Sequence, residues 1–133
     1  MNQDALPLVA VVDDEKSVRR ALVRLLLTEG YCAEGFASAA EFLYALSTRK
    51  PACLLLDVQM PQMNGLQLQE SLLALGGGPP VIVITAHDEV ATRNRCLALG
   101  ARYYFRKPID VDGLLMAIKD IVGGSVTEPA GIP

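Results

Sequence analysis

Four stretches of this 133-residue chain set a reactive or polar side chain directly after a run of apolar ones. Asp13-Asp14-Glu15 follow Leu8-Val-Ala-Val-Val12, and Asp57 follows Cys53-Leu-Leu-Leu56. Thr85 follows Val81-Ile-Val-Ile84, and Lys107-Pro108 come just after the shorter, charge-flanked run from Arg102 to Phe105. An acid at the rim of an apolar run is costly to desolvate unless it is paired, metal-bound or open at a working surface. Each signal alone has an ordinary explanation: Asp57 as a solvated strand end, Asp13-Asp14 as a helix N-cap, Thr85 as a structural hydroxyl, Lys107 as a solvated cation. Their joint position, each at the end of a different run, argues for one site.

The chemistry of that set is specific. Carboxylates gathered within a few ångströms raise one another's pKa unless a hard divalent cation neutralises them. Mg²⁺ suits such a cluster, because it favours a few carboxylates plus waters and phosphate oxygens over a complete protein cage; Mn²⁺ is the expected substitute. A phosphoryl group beside that metal needs donors on its other oxygens, which the Thr85 hydroxyl and the Lys107 ammonium supply. The combination suits phosphoryl transfer.

Positioning these groups requires elements that end at one rim. The three apolar runs are too short for helices and rich in branched residues, as expected for strands covered on both faces. Cys32 to Phe36 and Arg102 to Phe105 are weaker and suit sheet edges. Between the strands lie amphipathic helices. The first carries Val18, Ala21, Leu22, Leu25 and Leu26, with Gly30 as its stop. The second opens on Ser38-Ala-Ala-Glu41, a capping-box pattern, and presents Phe42, Leu43 and Leu46. The third spans Leu66 to Leu75, and the fourth runs from about Glu89 to Leu99 with Val90 and Leu97 as its apolar residues. The fifth starts at Asp110, buries Val111, Leu114, Leu115, Ile118 and Val122, and stops at Gly123-Gly124. Five β-α repeats of this kind build an α/β fold: a doubly wound five-stranded parallel sheet flanked by five helices. Ligands of such a sheet bind outside the carboxyl ends of its strands.

Composition bounds the function. Twelve basic against fifteen acidic residues give a net charge of -3 with no Lys/Arg block, which argues against direct nucleic-acid binding. No apolar run approaches the ~20 residues of a membrane span, and MNQDALP does not lead into a signal-like stretch, so a cytoplasmic protein is expected. Cys32, Cys53 and Cys96 lack any C-x-x-C spacing and read as reduced thiols.

The chain resembles the two-component response-regulator receiver domains. VVDDE at 11 to 15, LLLDVQMPQMNG at 54 to 65, VIVITAH at 81 to 87 and GARYYFRKPI at 100 to 109 carry the likeness, which spans Leu8 to Val122. Within that family it is most similar to receivers joined to a LuxR-type helix-turn-helix output domain, through the segment TAHDEV. The resemblance implies a flavodoxin-like (βα)5 fold over residues 8–122, preceded by an extension at 1–7 and followed by a flexible tail or linker at 123–133. It implies that a sensor histidine kinase phosphorylates Asp57. Mg²⁺ is then held by Asp14 directly, Asp13 largely through a water, Asp57, and the backbone carbonyl of Gln59. Thr85 and Lys107 would bind phosphoryl oxygens. Ala86 would leave room for in-line approach, while Gln59 and His87 would tune the lifetime of the phosphate.

For switching, the resemblance points to Thr85 and to Tyr104, an aromatic that turns inward beneath the fourth helix. It also implies a cis peptide before Pro108. Family members commonly dimerise through the fourth helix, fifth strand and fifth helix once phosphorylated. Arg93 and Arg95 depart from the apolar character expected there, and either pair with Asp112 or Asp120 across a symmetric interface or stay solvated. DNA would be reached only through an output domain absent from this chain. Such a protein is not an enzyme acting on separate substrates; it catalyses its own phosphorylation and dephosphorylation. Two rivals stand beside it. A receiver-like module working without phosphorylation would be favoured by loss of an acid, the Thr or the Lys, and none is lost. A phosphatase of the haloacid dehalogenase type would want a second Asp two residues after the nucleophile, where this chain has Gln59.

Overall fold

The computed structural model describes residues 6–60 and 63–131, with side chains through residue 123. The elements alternate as β1 (Leu8–Val12), α1 (Lys16–Thr28), β2 (Cys32–Phe36), α2 (Ala39–Ala45), β3 (Cys53–Asp57), α3 (Gly65–Ala74), β4 (Val81–Thr85), α4 (Val90–Ala98), β5 (Tyr103–Arg106) and α5 (Val111–Gly131). All neighbouring strands pair in parallel, in the order β2-β1-β3-β4-β5. The two weak strands are the edges, as their polar flanks predict.

Successive side chains on a strand point to opposite faces, so the continuous apolar runs feed two cores. Ala10, Val12, Leu54, Leu56, Val81 and Val83 meet Phe42 of α2, Leu68 and Leu72 of α3 and Cys96 of α4 on one face. Val9, Val11, Cys53, Leu55, Ile82 and Ile84 meet Leu22 and Leu26 of α1 and Leu114 and Ile118 of α5 on the other. Each fully buried Leu or Ile contributes about 1.5–3 kcal/mol of transfer free energy. The central strands are therefore the stiffest part of the molecule, and the site hangs from their ends.

Several local expectations are corrected. The N-cap of α1 is Glu15, so neither Asp13 nor Asp14 is spent on capping. At α2, the Ser38 hydroxyl accepts from the Glu41 N–H at 3.1 Å. The Glu41 carboxylate, however, accepts from Ala37 at 3.2 Å, one residue earlier than a reciprocal capping box requires. The complete capping box lies on α3, between Asn64 and Gln67. Val90 and Leu97 do not anchor α4; they are 74% and 42% exposed, and Cys96 is its buried residue. Val111 is 44% exposed rather than buried. The helix expected to stop at Gly123-Gly124 continues to Gly131. Glycine terminates a helix by taking a left-handed φ, as Gly30 and Gly100 do at +94° and +105°; otherwise it only weakens one. The extension at 1–7 and the tail at 123–133 fall partly outside the described residues.

Gly65 links the fold to the site. Its N–H donates to the Val58 carbonyl at 3.1 Å, and a Cβ there would stand 2.8 Å from Val58 Cα and 2.9 Å from the Asp57 carbonyl oxygen. Neither backbone atom can move without disturbing the end of β3. Gly65→Ala is expected to lower stability by about 1–3 kcal/mol in urea unfolding, the usual cost of overpacking; an unchanged midpoint would contradict this contact.

Candidate functional site

The sheet order reverses between β1 and β3, which opens a crevice at their carboxyl ends. Val12 is in register with Leu56, so the next residues stand side by side, Asp13 just past the end of β1 and Asp57 as the last residue of β3. Both are buried, at 2% and 6% exposure, while Asp14 is exposed. One carboxylate oxygen from each of Asp13, Asp14 and Asp57 lies within 4.8 Å of the others. Lys107 arrives from the end of β5, its Nζ 3.2 Å from Asp13 Oδ2 and 3.6 Å from Asp57 Oδ2. The Lys107-Pro108 peptide is cis.

The remaining carboxylate oxygens are held by backbone. Glu15 N–H donates to Asp13 Oδ1 at 2.9 Å, and Gln59 N–H donates to Asp57 Oδ1 at 3.0 Å. The Arg19 guanidinium donates to the Asp13 backbone carbonyl at 2.8 Å. Burial, reinforced by the Asp13 and Asp14 charges, pushes the Asp57 carboxyl up to about 6, against the Gln59 hydrogen bond and the Lys107 charge. For Lys107, burial alone pulls the pKa down, but the charges of Asp57, Asp13 and Glu15 and the Asp13 hydrogen bond outweigh it, and the net shift is upward. Three carboxylates against one ammonium leave an excess of negative charge on hard oxygen donors. That donor set fits a divalent cation such as Mg²⁺ and not a soft metal.

Thr85, at the end of β4, is fully buried. Its hydroxyl accepts from the His87 N–H at 3.0 Å and lies 3.4 Å from the His87 carbonyl, tied to the loop between β4 and α4. Ala86 and His87 are exposed on that loop. Tyr104 packs against the core under α4, opposite in facing to Tyr103, as strand parity predicts. Its hydroxyl is buried without a hydrogen-bond partner of good geometry among the described residues. Burial, with the nearby Asp88 charge adding, pushes that phenol up to about 12.

Within the chain, the exposed Arg93 stacks over the Tyr104 ring at 5.8 Å, and the exposed Arg95 pairs with Glu70 of α3 at 2.8 Å. Asp120 accepts from the Tyr103 hydroxyl and lies 4.0 Å from Arg102. Sequence reasoning missed Arg19, because its target is a backbone carbonyl that no side-chain pattern announces.

The raised Asp57 pKa has a sign that can be checked. The folded state binds a proton more readily than the unfolded state between pH about 4 and 6, so metal-free stability falls as pH rises through that window. Above it, the ionised carboxylate is a net burden. Asp57→Asn in EDTA at pH 7.5 is expected to stabilise the fold by about 1–3 kcal/mol, two pKa units being worth roughly 2.7. The gap should close toward pH 4 in denaturant titrations, and a destabilised Asn variant at pH 7.5 would contradict the desolvation argument.

Comparison with known proteins agrees with this geometry. The family model for the response regulator receiver domain matches residues 9–119. The response regulator protein TodT of Pseudomonas putida is 35% identical over 116 residues, 87% of this chain and 51% of that protein. The chain spans about half the length of the curated relatives it matches. Among solved structures, a response regulator receiver protein from Burkholderia phymatum is 45% identical with a TM-score of 0.78, covering 88% of this chain and 95% of the other. A CheY-like receiver domain protein from Methanospirillum hungatei is 28% identical with a TM-score of 0.86, covering 93% and 99%. Fold, acidic rim and sequence thus agree, and the chain belongs to the response regulator receiver domain family.

Proposed function

We propose that this chain is the phosphoacceptor of a two-component system, with Asp57 as the residue modified. The observation that carries the proposal is the convergence of Asp13, Asp14 and Asp57 with the Lys107 ammonium at one rim. The Asp57 carboxylate attacks the phosphorus of a kinase phosphohistidine; the P–O bond forms, the P–N bond breaks, and the imidazole leaves. With the pKa at about 6, the nucleophile is mostly ionised at neutral pH and needs no separate base. Lys107, already beside Asp57, binds a phosphoryl oxygen. Ala86, small and exposed, leaves the line of approach open. Asp13, Asp14, Asp57 and the Gln59 carbonyl would hold Mg²⁺, which when bound neutralises the carboxylates and the incoming phosphoryl oxygens. Water later hydrolyses the acyl phosphate, at a rate that Gln59 and His87 adjust from the rim. No separate substrate is turned over.

Switching then falls to Thr85. Its hydroxyl exchanges the His87 backbone for a phosphoryl oxygen and draws the β4–α4 loop inward. Tyr104 already sits under α4, so the bonds that must change are those of Thr85. The face of α4, β5 and α5 carries exposed Val90, Leu97, Val111 and Met116, which supports a phosphorylation-dependent homodimer there. We assign the output to a LuxR-type DNA-binding domain on the strength of the TAHDEV segment, and the setting to the cytoplasm. Among the described residues no helix is long and apolar enough to cross a membrane.

Intact mass spectrometry after incubation with acetyl phosphate tests the reading. One phosphoryl adduct is expected with Mg²⁺ or Mn²⁺, none in EDTA and none for Asp57→Asn. Lys107→Ala should slow adduct formation by roughly a hundredfold, as for loss of one preorganised oxyanion donor. Sizing of the modified sample should show a dimer. An adduct that persists in Asp57→Asn would overturn the assignment.

A further inference from the structure

Gly35 is an anomaly: a glycine within strand β2, exposed, with no positive φ to explain it. Glycine weakens a strand and usually marks a close approach by something else. Here that something is the stem of Arg19. A Cβ at position 35 would stand 2.9 Å from Arg19 Cγ and 3.1 Å from Cδ, so any side chain there would push the arginine away. The stem packs against β2 at this glycine, and its guanidinium ends 2.8 Å from the Asp13 carbonyl oxygen.

That carbonyl sits where β1 has ended and α1 has not begun. The helix starts from the Glu15 carbonyl, which accepts from Arg19 N–H at 2.9 Å, so Asp13 lies outside the helical ladder. Its N–H is tied to the Phe36 carbonyl at 3.2 Å and its carboxylate to Glu15 and Lys107. Arg19 fixes the last polar group. Because a peptide unit is planar, holding the Asp13 carbonyl also sets the nitrogen of Asp14.

We infer that Arg19 is a positioning residue for the acidic rim, orienting Asp13 and Asp14 toward Asp57 through the Asp13 carbonyl, and that Gly35 exists to let it pass. The inference rests on the divalent-cation reading of that rim. Outer partners that orient ligands commonly change metal affinity by tenfold or more.

The test is calorimetric titration with Mg²⁺ alone, alongside melting temperatures in EDTA. Arg19→Met, which keeps the stem and removes the fork, should weaken Mg²⁺ binding about tenfold. Gly35→Ala, which changes no charge, should do the same, and the double variant should be no worse than Arg19→Met, since both act on one contact. Arg20→Met removes the same charge from the next, exposed position and should leave affinity unchanged. Wild-type affinity in Arg19→Met or Gly35→Ala overturns the inference while leaving the metal site standing. So does a loss that only tracks the fraction unfolded, or an equal loss in Arg20→Met. Failure of the wild-type protein to bind Mg²⁺ overturns the metal reading and the role of Arg19 with it.

Discussion

The structure depends on holding like charges together. Asp13, Asp14 and Asp57 bring carboxylate oxygens within 4.8 Å of one another, with one ammonium, Lys107, among them. In water such groups would separate; here they cannot, because each is the next residue of a strand or loop locked into a buried sheet. The cost shows at Asp57, whose carboxyl is raised chiefly by burial, with the Asp13 and Asp14 charges adding. It is also what makes the rim useful, since a cation or a phosphoryl group bringing compensating contacts releases energy already stored in the fold.

The two faces of the sheet serve this constraint differently. On the side of α1 and α5, Leu22, Leu26, Leu114, Ala117, Ile118 and Ile121 are all buried, and the packing is continuous. On the other side α2 and α3 are well seated, but α4 presents mainly Cys96 to the core and leaves Val90 and Leu97 in solvent. Its other ties are one buried hydrogen bond, from the Gln69 side-chain N–H to the Cys96 carbonyl, and two contacts of exposed arginines, Arg95 to Glu70 and Arg93 over Tyr104. An element with few buried apolar contacts is drawn from the low-stability end of a fold, where conformational change is least costly. The loop that carries Thr85 leads directly into it.

A division of labour follows. Strands β1 and β3 fix the rim acids Asp13 and Asp57 against buried neighbours on both faces, so their geometry resists thermal blurring. Lys107 comes from the end of the edge strand β5, and Thr85 from the end of β4, where the chain leads into the loosely held helix. The Asp88 carboxylate, 3.8 Å from Arg106, links the β4–α4 loop to the end of β5. The acids thus sit on the well-packed strands β1 and β3, and Thr85 at the start of the loop into the loosely held α4.

The sequence by itself determined the elements and the residues that end them. Apolar runs such as Val81 to Ile84 have one stable use, as strands covered on both faces, and the residue that breaks each run must emerge at a strand end. Asp13, Asp57, Thr85 and Lys107 were legible for that reason, and so were the edge positions of β2 and β5. Tertiary structure alone decided what those side chains touch. That Lys107 reaches Asp13 and Asp57, and that Arg93 and Arg95 find Tyr104 and Glu70, depends on distances between segments remote in the chain. The exposure of Val90 and Leu97 escaped the helical pattern because periodicity names an apolar stripe without saying how close the sheet comes to it. Arg19 and Gly35 were illegible for a sharper reason. The Arg19 bond is made to a backbone carbonyl, and every residue carries one, so only the fold selects which carbonyl is left without a helical or sheet partner and which glycine lies under the stem.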